Sequence, residues 1–462
     1  MRTSILAVSC CCLTFSTLVL EGQPPPANSR PAVVFAENEH IRVGIHLAWG
    51  GAITHVSEPG GPNLINSHDL GRQIQQSYYS GPANYQRAGK RKSPHWASFP
   101  WNPIQTGDAF HNGSRVLDHR ARDGQLYVKT IPMLWPMDND PAECVMETWI
   151  TLSPDAPTFI YRARLTNARG DKTQYSHGMN QEVPAVYVNG PWHRLITYKG
   201  DKPFADEKPS EVRNDHQEGW PWVNFLATEG WAALVNDAGT GIGVCVPTAT
   251  EFHGGFHGQR GRGDEKSANT GYMSPITTEI LDHNIVCEYT CTFVLGDIPR
   301  IRTEARRVAS RTLPAWTFDR ARQGWHYQNG HDAGYPLAGR GLAVRATDPV
   351  RPVRLIGPMT FWHAEAAPQI AVRISSAAVG TMTIFWRGMP PDEASTRPSE
   401  WSTWRQSWWT NDRSATGTVP AGDKNTVTIS FAESPTYAGA MTGLAIDIPD
   451  GVTIHDIRLL GK

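Results

Sequence analysis

A surplus of charge of either sign is what this sequence most plainly lacks. Its 43 Lys and Arg face 44 Asp and Glu, which leaves a formal net charge of −1 over 462 residues. A chain without a one-signed field has nothing to draw a polyanion or an anionic membrane, so nucleic acid and membrane surfaces are not expected partners. Long apolar runs are missing beyond the N-terminus, which argues against a membrane span. Amphipathic helical periodicity is almost as scarce. No P-loop, dinucleotide fingerprint, Gly-x-Ser-x-Gly elbow or zinc signature occurs, and no cofactor or metal is expected.

Cysteine is sparse. Three of the seven, Cys10, Cys11 and Cys12, fall in the N-terminal apolar run. That run has the form of a signal peptide over residues 1–22: Arg2 supplies the positive start, Ile5 to Leu20 the apolar stretch, and Pro24, Pro25 and Pro26 follow. The chain is therefore expected to be secreted or periplasmic. A lipid anchor on one of the three cysteines is disfavoured by their position inside the run. Cys144, Cys245, Cys287 and Cys291 remain. Cys287 and Cys291 lie in a strand-like run that would hold them roughly 13 Å apart, too far to bridge each other. Free buried thiols are the expectation.

Turn formers and tryptophan are abundant: 42 Gly, 35 Pro and 17 Trp. Short alternating runs recur between turn clusters, among them Cys144 to Ile150, Phe159 to Leu165, Gly241 to Val246 and Ile285 to Val294. This is the pattern of an all-β chain built as a large antiparallel sandwich. One brief helix is expected, over Ile301 to Ser310, in a connector spanning 301–312. A further set of alternating runs follows and closes on Val452 to Leu459. Two domains are thus expected, 33–300 and 313–462.

Particular residues give these domains a resemblance. Gly50-Gly51, Asn63 to Asn66, Asp69-Leu70-Gly71-Arg72 and Gln75-Gln76 occur in the order that opens the galactose mutarotase-like supersandwich, and the first domain resembles that superfamily. The second, with Trp316-x-Phe318, Gly324-Trp325, Phe385-Trp386 and its closing strand, is similar to the β-jelly-roll modules that follow bacterial polysaccharide-degrading domains. The resemblance implies a carbohydrate substrate or ligand. It does not extend to the mutarotase catalytic pattern.

Four segments could carry chemistry. His68 to Tyr79 gathers Asp69, Arg72, Gln76 and Tyr78, the donors, acceptors and flat rings a sugar site needs. A buried Asp69–Arg72 structural pair would leave the same trace. Asn102 to Asp108, beside Trp96 and Trp101, could form a cleft wall or a rigid loop packed on its own tryptophans. His177 to Tyr187 places Glu182 in an amide-rich, otherwise apolar stretch, where burial would suit it to acid–base work and an arginine partner would make it structural. Glu251 to Arg262 is Gly-rich and is expected to be a mobile loop carrying His253 and His257. With no helix there, a helical metal pair is excluded.

The leading expectation is a glycoside hydrolase, which needs two carboxyl groups. Glu182 is the first, with Asp69 or Asp108 as partner. Arg72, Gln76, Tyr78, Trp96, Trp101, His177, His253, His257 and Tyr272 are expected to bind substrate. A polysaccharide lyase acting on an acidic glycan through His253, His257 or Tyr272 is the alternative, and a non-catalytic glycan-binding protein is another. Trp401, Trp404, Trp408 and Trp409 cluster in the second domain, as a sugar platform or as a wedge between domains.

Overall fold

The structure, a computed structural model, describes residues 32–214, 221–310, 312–337, 339, 341–391 and 398–461. The expected signal peptide, 1–22, lies outside the described residues. Among the described residues the chain is all-β with two short α-helices. No helix among the described residues is long and apolar enough to cross a membrane.

Strands up to Asp297 build two sheets. The ten-stranded sheet runs, neighbour to neighbour, through Val33–Glu37, Arg42–His46, Ala52–Ser57, Ile74–Ser77, Met179–Asn189, Thr270–Glu279, Glu251–His257 and Trp222–Leu226, with Pro103–Ile104 and Met133–Leu134 attached at its middle. The nine-stranded sheet is centred on Val286–Asp297, Thr158–Asn167, Cys144–Leu152 and Gln125–Ile131, and Arg115–Arg122 forms one edge. The pairings are antiparallel.

Alternation decides which face is which. In Cys144–Leu152 every second residue is buried, as expected for a strand with one face on a core and one on water. Ile150, Leu152, Phe159, Tyr161, Ala163 and Phe293 meet Ile45, Ile53, Ile74, Val186, Phe225 and Phe252 from the other sheet. Each Ile, Leu, Val or Phe among them contributes roughly 1.5–3 kcal/mol of burial. Met179–Asn189 and Thr270–Glu279 depart from this pattern, with residues of both parities buried. Their second face is covered as well, and that covered face holds the candidate site.

Helix α1, Ile298–Val308, begins three residues before the expected position. Asp297 caps it, accepting from the Arg300 backbone N–H at 3.0 Å, and Pro299 stands in its first turn, where its missing N–H costs nothing. Ile301 and Ala305 turn inward. Arg302 is paired with the buried Glu229 at 2.6 Å.

Strands from Ala315 onward build a second sandwich of a five-stranded and a six-stranded sheet around a core that includes Trp325, Trp386, Ile446 and Ile457. Helix α2, Pro398–Ser407, leans back onto the first sandwich. Trp401 and Trp404 are buried with Leu226, so these tryptophans form a wedge between the sandwiches. The four described cysteines are free thiols.

Candidate functional site

Five adjacent strands of the ten-stranded sheet, from Ile74–Ser77 to Trp222–Leu226, place one set of side chains on the face away from the core. Register identifies them. Glu182 stands opposite Ser77 on one side and Ile276 on the other, Tyr187 opposite Tyr272, and His253 opposite Ser274 and Asn224. Glu182 and Tyr187 are an odd number of residues apart, so a regular strand would turn them to opposite faces. A register shift between Glu182 and Val186 removes the conflict. The irregularity thereby assembles the cluster.

Glu182 is its centre and is only partly buried. The Tyr79 hydroxyl donates to Oε2 at 3.0 Å, and the Tyr272 hydroxyl donates to Oε1. Each carboxylate oxygen still has a free lone pair for a ligand. Tyr187 lies 4.6 Å from Tyr272, Trp222 5.0 Å from it, and His253 meets its edge at 5.9 Å. Burial first, and the Glu182 charge second, push the phenols of Tyr79, Tyr187 and Tyr272 well above their ordinary range. All three are therefore donors at neutral pH. Burial pushes His253 down to about 4, so its imidazole is neutral there. The result is a carboxylate fixed by two phenols and walled by aromatic rings. Such a group can accept or return a proton at a hydroxyl laid against those rings.

The second sandwich closes one end of this face. Arg405 of α2 bonds to Asn180 Oδ1 at 3.0 Å, Thr278 Oγ1 at 2.8 Å and Glu251 Oε2 at 3.1 Å. The Trp401 indole N–H adds a bond to Glu251 Oε1 at 3.3 Å. Glu251 is buried and held by these partners, so it anchors α2.

The structure brings together Glu182, Tyr272 and His253 and corrects several other expectations. Tyr78 is fully buried between the sheets, and its hydroxyl donates to Gln76 at 3.0 Å. Gln76 in turn donates to Glu147 O and Thr148 Oγ1 of the opposite sheet. The reason is parity: Ser77 and Tyr79 share the Glu182 face, so Gln76 and Tyr78 must point into the core. Trp101 is also fully buried, against Tyr78 and Leu134. Asp108 is fully buried and spent on its own loop. It accepts from the backbone N–H groups of Phe110, Asn112 and Asn139 and from the Asn112 side chain. Neither carboxylate oxygen faces a cleft.

Asp69 accepts from Gly71 N–H at 2.8 Å and pairs with Arg72 at 3.2 Å. Arg72 also donates to Asn66, Ser267 O and Ala268 O, pinning one loop to another. Both stay close enough to Tyr187 for their charges to act on its phenol. Trp96 is half-buried and packs on Phe99, Trp135 and His95. His177 is exposed in the loop before Met179–Asn189. The expected mobile loop at Glu251 is instead the strand Glu251–His257, because Phe252 fills the core while Gly254 and Gly255 let neighbouring backbone approach. His257 is exposed at the end of that strand.

Tyr79, Tyr187, Trp222 and Arg405 were not legible as site residues. The run Ile74 to Tyr79 has no alternation of apolar and polar residues that would tell Tyr79 from Tyr78. Arg405 reaches the site only because the second sandwich packs against the first.

No protein-family description matches this chain, and no curated protein does. Solved structures similar to it include a galactose mutarotase related enzyme from Lactobacillus acidophilus, at 10% identity over 57% of this chain and 97% of that one, with a TM-score of 0.34. A galactose mutarotase-like protein from Lactobacillus casei is similar at 12% identity over 57% and 99%, TM-score 0.34. A 4-alpha-glucanotransferase from Thermococcus litoralis is similar at 14% identity over 57% and 37%, TM-score 0.29.

Proposed function

We propose that the protein is a carbohydrate-active enzyme that holds a sugar against the aromatic face of its ten-stranded sheet and uses Glu182 to transfer a proton. The carrying observation is the Glu182 carboxylate, partly exposed, oriented by Tyr79 and Tyr272 and flanked by Tyr187 and Trp222. Aromatic rings offer apolar faces to sugar C–H groups, and phenols and carboxylates bind their hydroxyls. The sequence resemblance of the first domain to the mutarotase-like supersandwich supports the same substrate class.

Glycoside hydrolysis is the finer reading, and it needs a second carboxyl group. With Asp108 and Glu251 committed elsewhere, Asp69 is the one whose charge still reaches the cluster, through Tyr187. A lyase is less well supported. The Tyr272 hydroxyl donates to Glu182 and burial raises its phenol, while His253 is a weak base. The second sandwich is read as the jelly-roll module, and export as the consequence of the 1–22 leader.

The test is a digestion and binding screen over neutral and acidic poly- and oligosaccharides with wild type, Glu182→Gln and Asp69→Asn. Turnover should fall at least ~100-fold in Glu182→Gln with binding retained. Loss in Asp69→Asn as well would support hydrolysis. Binding without product in the wild type would make the protein a glycan-binding one, and full activity in Glu182→Gln would remove that residue from the mechanism.

A further inference from the structure

The nine-stranded sheet has its own outward face, on the opposite side of the sandwich from Glu182. Cross-strand register sorts its side chains into rungs. One rung reads Arg120, Tyr127, Trp149, Arg162, and the next reads Arg122, Gln125, Thr151, Ile160. Residues between them, such as Leu126 and Ile150, point into the core. Gln125 and Thr151 are short beside the rings of Tyr127 and Trp149, so the surface drops at their rung. The drop is an open trough of about 640 Å³ lined by Arg120, Tyr127 and Trp149 of one rung and Arg122, Gln125 and Thr151 of the next.

One wall is aromatic. The Tyr127 and Trp149 rings lie 5.4 Å apart at 39°, with the Arg120 guanidinium 5.3 Å from the Tyr127 ring and that of Arg162 4.9 Å from Trp149. The floor offers the Gln125 amide and the Thr151 hydroxyl. Charge on these two rungs has one sign: three arginines and no carboxylate. The neighbouring acids lie on the following rung, where Asp118 pairs with Arg120, Glu288 with Arg162 and Arg164, and Glu147 accepts from the Tyr127 hydroxyl. Arg122 is exposed and makes no ion pair or side-chain hydrogen bond among the described residues. In a chain with no net basic field, a local trough of this kind selects a short anionic ligand that also has hydroxyls and an apolar ring face.

We propose that this trough is a second saccharide site, for an acidic glycan whose carboxylate or sulfate groups pair with Arg122 and Arg120 while a sugar ring lies against Tyr127 and Trp149. It stands independently of the Glu182 reading, because the two faces share no residue.

The test is titration calorimetry of the full chain with tetragalacturonate, heparin tetrasaccharide and neutral maltotetraose. At least one acidic probe should bind, with affinity falling as salt rises, while maltotetraose binds at least ~10-fold more weakly. Arg122→Ala and Trp149→Ala should each weaken the acidic probe by about tenfold or more, and Glu182→Gln should leave it unchanged. Arg122 is exposed, so its variant keeps the fold even if Trp149→Ala does not. No binding of either acidic probe, equal binding of maltotetraose, or unchanged binding in Arg122→Ala would overturn the proposal. So would loss of binding in Glu182→Gln alone, which would move the acidic probe to the Glu182 face. A short duplex DNA that outcompetes both acidic probes would overturn the occupant.

Discussion

Glu182 draws its character from two phenols whose own ionisation is suppressed by burial and by its charge. Removing one hydroxyl should loosen the carboxylate without emptying the core, since phenylalanine keeps the ring. Tyr272→Phe and Tyr79→Phe are expected to lower turnover about 10- to 100-fold with a melting temperature within a few degrees of wild type, read by steady-state kinetics and calorimetry. Unchanged kinetics in both variants would show that the carboxylate needs no orientation. Tyr78→Phe offers the contrast. Its hydroxyl serves Gln76 inside the core, so the loss belongs to stability, on the order of 1 kcal/mol, and leaves turnover of the folded protein intact.

At the scale of the element, two local devices matter. The register shift after Glu182 turns Tyr187 to the site face, and it lies in a stretch where both parities are buried, so the pattern of apolar residues carries no trace of it. The start of α1 is the opposite case: Asp297 and Pro299 are both visible cap signals, and they set the helix start three residues before the polar run from Ile301. Asp297→Ala should cost about 1 kcal/mol in chemical denaturation, with no effect on sugar binding. A neutral result would mean that packing of Ile301 and Ala305 alone holds the helix.

Across the whole molecule, the docking of the two sandwiches and the pH response are linked. Arg322 is buried between Asp282 of the first sandwich and Asp332 of the second, at 2.8 and 2.6 Å. Glu279, buried beside Gly324 of the second sandwich, is pushed up to about 7 by burial, against the pull of Arg322. Its folded value lies above the ordinary 4.5, so its contribution is fully present below 4.5 and is lost as pH rises through 7. His46, His253 and His326 run the other way. Burial lowers each to about 4, so their contribution holds above 6.5 and is lost as pH falls through 4. Thermal unfolding should therefore show an acid limb between 6.5 and 4, partly offset by the Glu279 contribution, which is lost between 4.5 and 7 as pH rises. Glu279→Gln should remove only that loss, raising stability above pH 7 by on the order of 3 kcal/mol. A variant that shifts the histidine limb and leaves the loss between 4.5 and 7 in place would contradict this assignment.

What the sequence determined by itself was local in origin. Alternation with period two, turn residues at regular spacing and the lack of helical periodicity dictate an all-β chain of antiparallel sheets, because each strand must bury one face. Glu182 stood out as a carboxylate in an apolar stretch. Tertiary structure decided the rest. Whether Tyr78 or Tyr79 meets Glu182 depends on one residue of register, and a run such as Gln75-Gln76-Ser77-Tyr78-Tyr79 is polar enough to fit either parity. Asp108 looked free because three of its four donors are backbone N–H groups, which no side-chain pattern records. Arg405 and Glu251 are over a hundred residues apart and meet only when two hydrophobic cores pack against each other. Burial of that kind is a property of the assembled surfaces, and it is what gives the tyrosines, His253 and Glu279 the ionisation the site and the pH response depend on.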